Sequence, residues 1–488
     1  MLSNRIAAGI VFLAAAAVLV LEVVALRLVG PYVGITLQTS SAVIGIALGA
    51  IAYGAWTGGA LADRVDPHRL LPPAFALAAV ATAVTLPIVR WLGEPLRGTG
   101  VLGVLVLAGL AVFVPAALLS AITPIVVKLQ LADMRHTGRV VGRLSSIGTL
   151  GGITATLVTG FVLVAALATS VILLSLAAVL LVVAGWLHFR LRGGWRGIAG
   201  IAVLAVAGGA LTATLPTPCD VETAYQCARV VADPQRPGGR LLLLNGARHS
   251  YVDLDDLTHL EFAYTQWLGQ VVDRVAAPAA PIQALHLGGG GFTMPRYVTA
   301  TRPGSTNRVL ELDSGLVRLD EQQLGVREGA DLSIVLGDAR TSLYDEPSAA
   351  YDLVVGDAFG HLAVPWHLTT REFVTEIRRV LRPTGVYALN VIDYPPDRLI
   401  RAELATIMDV FAHVVLIAPQ AALDGRTGSN FLVVASAQPL PVDALSFAVT
   451  QVARPAVLID GTALEAWVGD AQVLTDDYAP VDQLLGRP

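Results

Sequence analysis

The spacing of hydrophobic and polar positions changes near residue 215 of this chain. Before that point, long apolar runs alternate with short polar loops. A helix crossing the hydrocarbon of a bilayer needs roughly 20 residues. Seven candidate spans start near Ile6, Ser40, Leu70, Val101, Ile147, Ser170 and Ile198. The first run is too long for a cleaved signal peptide, and it carries Glu22 and Arg27 with no cleavage site. Pro115 and Pro124 mark where the fourth could break. Gly45, Gly49, Gly54 and Gly58 recur at four- and five-residue spacings, and Gly148 and Gly152 repeat the shorter one. Such spacing lets helices approach closely.

After Pro216 the apolar runs shorten and alternate with charged, helical stretches. Arg240 to Leu244 and His249 to Leu254 read as antiparallel strands around an Asn245-Gly246 turn. Thr258 to Val272 reads as a helix. Candidate strands then follow at Ala284–Leu287, Arg308–Leu312, Ser333–Leu336, Leu353–Val355, Val386–Val391, Val414–Ile417 and Phe431–Ala435. Strands alternating with helices predict a mostly parallel, doubly wound sheet. The expected domains are residues 1–215, a multi-pass helical bundle, and residues 216–488. The latter divides into a small β unit with a helix (216–275) and a Rossmann-like sheet (276–488).

Composition agrees with two environments. Hydrophobic residues make up 54% of the 488 and charged residues 15%; the mean hydropathy is +0.64. These values exclude intrinsic disorder and a small disulfide scaffold. Residues 1–215 hold 13 basic and 5 acidic residues, a net of +8, leaving 20 and 33, a net of −13, for the remainder. Ten of the first half's arginines and lysines fall in loops on one side of the predicted bundle; Arg27, Arg90 and Arg97 fall on the other. The richer side should face the cytoplasm. Seven spans in a cell membrane would then put the C-terminal domain outside it; an even count would reverse this. Two cysteines, Cys219 and Cys227, follow the last candidate span. They either form a disulfide, which suits an oxidising compartment, or stand as unrelated thiols.

Candidate chemistry lies at strand ends. The first strand of the βαβ series runs into Gly288-Gly289-Gly290-Gly291, where backbone can approach a ligand closely. The second ends in Glu311-Leu312-Asp313, a carboxylate about 20 residues further on, the arrangement that holds ribose hydroxyls. Asp338 follows the third strand and can accept from an adenine amino group. Asp357 follows the fourth, where ligands of open sheets bind, although an aspartate there can also cap the next helix. Glu22 is an ionisable group within a span, which marks either function or a structural pair with an arginine. The histidines show no metal-ligand spacing. Lys128 is the one lysine, so Schiff-base chemistry in the second half is excluded. Basic residues there do not cluster, so no nucleic-acid partner is expected.

These residues resemble the spermidine synthase (polyamine aminopropyltransferase) family over roughly residues 220–440. The resemblance rests on Leu244-Asn245-Gly246, the Tyr264 segment, the glycine loop, Glu311-Leu312-Asp313, Gly337-Asp338, Tyr351 to Asp357 and Leu381-Arg382-Pro383-Thr384-Gly385. The first half is similar to the transporter-like helical domain fused to such synthases in one group. Glu22 to Arg27, Gly58 to Arg64, Val141 to Leu144 and Thr475-Asp476-Asp477-Tyr478-Ala479-Pro480 carry that similarity. The resemblance implies a transporter-like helical membrane domain, here with about seven spans by the apolar segments, and a methyltransferase-like α/β domain after the small β unit. It implies decarboxylated S-adenosylmethionine as co-substrate, with no permanently bound cofactor, and an amine acceptor. Asp357 would be the base and Tyr264 would orient the amine. Glu311 would hold the ribose, Asp338 the adenine, and Asp313, the glycine loop and His249 other parts of the donor. Membrane lipid and a small amine or polyamine are the expected partners, with a homo-oligomer left open.

The departures are specific. Gly291 stands where the family has an aspartate for the donor's ammonium. The family's second aspartate after the fourth strand is absent from Asp357-Ala358-Phe359-Gly360, and Gln266 replaces an acid. Three functions therefore remain open: aminopropyl transfer, S-adenosylmethionine-dependent methyl transfer, and a non-enzymatic partner of the membrane domain.

Overall fold

The computed structural model describes residues 3–34, 36–97, 99–131, 137–191, 210, 218–360 and 364–486. The chain forms two compact units, Met1–Cys227 and Ala228–Pro488.

Among the described residues the first unit has six helices long and apolar enough to cross a membrane. They are α1 (Asn4–Val33), α2 (Leu37–Arg64), α3 (Pro67–Leu96), α4 (Val101–Gln130), α5 (Thr137–Ala166) and α6 (Thr169–Leu191). The seventh candidate, near Ile198, lies outside the described residues. Pro115 does not break α4. A π-helical turn at Gly109–Phe113 precedes it and absorbs the lost backbone donor. The Gly58 to Arg64 stretch is the last part of α2, and Asp63 there pairs with Lys128 at 2.6 Å.

Small residues set two close helix contacts. A Cβ on Gly54 would lie 2.1 Å from the Ala117 carbonyl oxygen, and one on Gly151 would lie 2.4 Å from that of Phe12. The α2–α4 and α1–α5 pairs are therefore held at backbone distance. Among the described residues, nothing lies within 4 Å of a Cβ built on Gly45 or Gly49.

Residues 218–227 belong to the first unit because local bonds tie them there. Cys219 and Cys227 form a disulfide with Cα atoms 5.1 Å apart. Glu222 accepts from the Thr169 backbone N–H at 3.0 Å and from its hydroxyl, capping α6, and pairs with Arg27 at 3.8 Å. Glu22 is half-buried on α1.

The second unit begins one residue into β1 (Cys227–Ala232), which pairs antiparallel with β2 (Gly239–Leu244), itself antiparallel to β3 (Ala247–Asp253). Asn245 and Gly246 have φ of 48° and 77°, the left-handed pair that a two-residue hairpin requires. Helix α7 (Ala263–Val272) starts later than its periodicity suggests, because Asp256 closes a turn on the Thr258 N–H at 3.0 Å.

The main sheet comprises β4 (Gln283–Leu287), β5 (Thr306–Glu311), β6 (Leu332–Leu336), β7 (Tyr351–Gly356), β8 (Leu381–Asp393), β9 (His413–Ala418), β10 (Ser429–Ser436) and β11 (Val457–Asp460). Their order across the sheet is β11-β9-β10-β8-β7-β4-β5-β6. Strands β4 to β8 pair in parallel, and β10 runs antiparallel to both β8 and β9. Period-2 alternation feeds two cores, one on each face. Leu285, Val354, Phe431 and Val433 enter one; Ala284, Leu353, Val355, Leu432 and Val434 enter the other. This is the expected class: apolar helices, then a methyltransferase-like sheet with its last strands reversed.

Candidate active site

Strand β4 lies between β5 and β7, so the chain reverses direction across the sheet at its C-terminal end. Ligands of doubly wound sheets bind at such a switch point. The glycine loop follows β4 there, with φ of +89° at Gly288 and +49° at Gly290. A Cβ at Gly288 would lie 2.8 Å from the Asp357 carbonyl oxygen, so the loop passes hard against the end of β7.

Three expected residues stand at neighbouring strand ends. Glu311, the last residue of β5, accepts from the Gly289 N–H at 2.7 Å and the Asp313 N–H at 2.8 Å. Its carboxylate thus ties the glycine loop to the next turn. Burial pushes its pKa up, and those backbone donors oppose the shift. Asp313 is buried and caps α8 (Ser314–Leu319) through the Gly315 and Leu316 N–H groups. Asp338 caps α9 (Ala339–Tyr344) through the Arg340 and Thr341 N–H groups, and its second oxygen lies 2.9 Å from His367 Nε2.

The other expected residues meet in a small pocket of about 20 Å³ lined by His249, Tyr264, Gly288, Gly289, Gly290 and Asp357, among others. Asp357 follows β7 and is held from both sides. Tyr264 donates its hydroxyl to Oδ2 at 2.9 Å, and the Asn390 amide donates to Oδ1 at 2.8 Å. Burial pushes the Asp357 carboxyl up, partly opposed by these two donors; burial and the Asp357 charge push the Tyr264 phenol up. His286 is buried and His249 half-buried, and loss of solvent brings each imidazole down to about 4. The pocket therefore has two neutral imidazoles and one carboxylate. Gly291 does not line it; its N–H donates to Ser250 Oγ at 3.0 Å.

Three contributors were not anticipated from the sequence. Asn390 fixes Asp357 and accepts from the Asn430 amide at 3.0 Å. Ser250 anchors the glycine loop. His286 lines the pocket from β4, its Nε2 2.9 Å from Asn307 Oδ1. Asn390 and His286 do leave a trace, as polar residues within the apolar runs Val386–Val391 and Ala284–Leu287.

Sheet order and loop together define a Rossmann-like domain of the methyltransferase-like class. No family model matches the chain. Over 215 residues, 42% of this chain and 70% of the relative, it is 27% identical to the polyamine aminopropyltransferase of Vibrio vulnificus (strain CMCP6). A probable spermidine synthase from Corynebacterium glutamicum shares 29% identity at a TM-score of 0.49, covering 54% of this chain and 96% of that one. For the spermidine synthase of Thermotoga maritima the identity is 16% and the TM-score 0.37, over 54% and 82%. The relatives thus carry the names of the family that the sequence motifs resemble.

Proposed function

We propose that the second unit transfers an aminopropyl group from decarboxylated S-adenosylmethionine to an amine. The observation that carries this reading is Asp357. It is a half-buried carboxylate at the switch point, held by Tyr264 and Asn390 and set directly against the glycine loop. In the reaction the amine nitrogen bonds to the carbon next to the sulfonium, and the carbon–sulfur bond breaks. Methylthioadenosine leaves with the bonding pair, and the positive charge passes to nitrogen. Asp357 accepts the proton that the amine sheds; a raised pKa suits a group working near neutral pH. Tyr264 fixes the orientation of that carboxylate. Glu311 and Asp313 serve the ribose side and Asp338 the base.

The acceptor presents a single neutral amine to Asp357. Among the described residues, no second carboxylate lines the pocket. At Gly291 a Cβ would already lie 3.0 Å from that of Ser250, which supports the loss of an ammonium-binding acid there.

The charge bias of the helical loops and the disulfide support an extracytoplasmic location for the second unit. The 23-residue α6 rises about 1.5 Å per residue, so its start and end stand on opposite faces. Glu222 caps the start, beside Arg27, so the chain leaves the first unit at the face poor in arginine. The Cys219–Cys227 disulfide suits that side.

The test supplies full-length protein in detergent with either donor and a panel of amines, read by mass spectrometry. Methylthioadenosine with an aminopropylated amine is the expected result. S-adenosylhomocysteine would mean methyl transfer, favoured by the missing acid at Gly291. Neither product would overturn the enzymatic reading.

A further inference from the structure

The terminal Thr475 to Pro480 motif has no part in the chemistry above, yet it is stitched to the nucleoside side of the site. Thr475 and Tyr478 close a turn by mutual backbone bonds of 3.1 and 3.0 Å. The turn presents Asp476 to Arg340. Two guanidinium nitrogens of Arg340 donate to its two carboxylate oxygens at 2.8 and 2.6 Å, and the Thr370 hydroxyl adds a third bond at 2.7 Å. A bidentate pair of this kind fixes direction as well as distance. Asp476 also donates its N–H to Glu372 at 3.1 Å, and the Arg371 N–H donates to the Leu474 carbonyl at 2.9 Å.

Arg340 spans two elements. Its backbone N–H is capped by Asp338, while its side chain donates to the His367 carbonyl at 2.8 Å. His367 in turn reaches Asp338 Oδ2. A carboxylate has about four acceptor positions. Oδ1 is filled by the Arg340 and Thr341 N–H groups, and His367 takes one position on Oδ2. Among the described residues, one position on Oδ2 remains. Leu312 and Leu336 expose apolar side chains at the same two strand ends.

We infer that Asp476 and His367 are positioning residues for a nucleobase. Together they turn Asp338 so that its one remaining acceptor site meets an exocyclic amino group. The latch makes the site select an amino-bearing base over one with a carbonyl at that position. This inference rests on the nucleoside reading of the donor site.

The test measures binding of methylthioadenosine and of methylthioinosine, which has a carbonyl in place of the amino group. The proteins are the full-length chain and its Asp476→Asn, Asp476→Glu and His367→Ala variants. The intact chain should prefer the adenosine form. Asp476→Asn and His367→Ala should each weaken that form by roughly three- to tenfold, as expected for a lost hydrogen bond, and leave the inosine form unchanged. Asp476→Glu should restore the preference. His367→Ala alters a half-exposed turn, so it reports even if Asp476→Asn fails to fold. Equal weakening of both nucleosides, or no change in either, overturns the positioning claim alone. No binding of methylthioadenosine by the intact chain overturns the nucleoside reading, and this inference with it.

Discussion

The two ends of the candidate site hold their carboxylates in opposite ways. At the proposed nucleoside end, Glu311, Asp313 and Asp338 all accept backbone N–H groups and act as pins in the turns that carry them. At the proposed amine end, among the described residues, Asp357 accepts from the side chains of Tyr264 and Asn390. Backbone-held acids are structural as well as ligand-facing, so changing one moves the loop. A side-chain-held acid can lose or gain a proton without moving the main chain. The first arrangement suits binding and the second suits proton transfer.

The largest expected effect tests that division directly. Asp357→Asn keeps the shape and removes the base. The aminopropyl transfer rate should fall about 10²- to 10⁴-fold, with methylthioadenosine affinity nearly unchanged. Glu311→Gln should do the reverse. Its amide has one acceptor oxygen for two backbone donors, so its NH2 must face either the Gly289 or the Asp313 N–H. Donor affinity should drop roughly 10- to 100-fold, the range for bonds to a charged group. Steady-state kinetics and nucleoside binding on both variants check the contrast. Equal losses of rate and affinity in both would erase it.

A smaller effect comes from Tyr264→Phe, which removes one donor from the ionised form of Asp357. Burial already raises that carboxyl, and the phenol opposes the rise. Without it the pKa rises further. The base must be ionised to work, so activity is lost as pH falls through that value. The acid limb of the rate profile should therefore move to higher pH in the variant. At alkaline pH the rate should return to within about tenfold of the parent, as expected for loss of a positioning bond. A limb that stays in place would show that Asp357 does not set it.

The sequence shows the ends of strands better than what meets there. The apolar runs stop at Leu287, Leu310, Leu336 and Val355, so Gly288, Glu311, Asp338 and Asp357 are readable as strand-end positions. Their partners are not. Asn390 reaches Asp357 only because β8 lies beside β7 in one register, with Gly356 opposite Leu389. Ser250 and Asp476 come from distant segments, brought in by tertiary packing that no local period encodes. In the bundle, glycine spacing alone did not distinguish Gly54 and Gly58, which meet a neighbouring backbone, from Gly45 and Gly49, which do not.

The smallest effect concerns the crowding of acids at the nucleoside end. Asp320 is fully buried, and neither carboxyl oxygen has a hydrogen-bond partner among the described residues. Burial, then the nearby Glu311 charge, pushes it up to about 9, with Arg296 pulling the other way. In the unfolded chain an aspartate titrates near 3.9, by the ordinary value of about 3.9. Its stabilising contribution is therefore fully present below that pH and is lost as pH rises through about 9. Asp320→Asn removes a group that must otherwise stay protonated or be ionised without a partner. The variant should melt close to the parent near pH 5 and above it near pH 8.5, by on the order of 2–4 °C for each kcal/mol recovered. A melting difference independent of pH would mean that Asp320 is not held as a buried neutral acid. The same scan on Asp357→Asn should show the same sign, because burial raises that group too, but a smaller slope, because Tyr264 and Asn390 already stabilise its charge. The two slopes together measure how far each end of the site depends on neutral acids rather than paired ones.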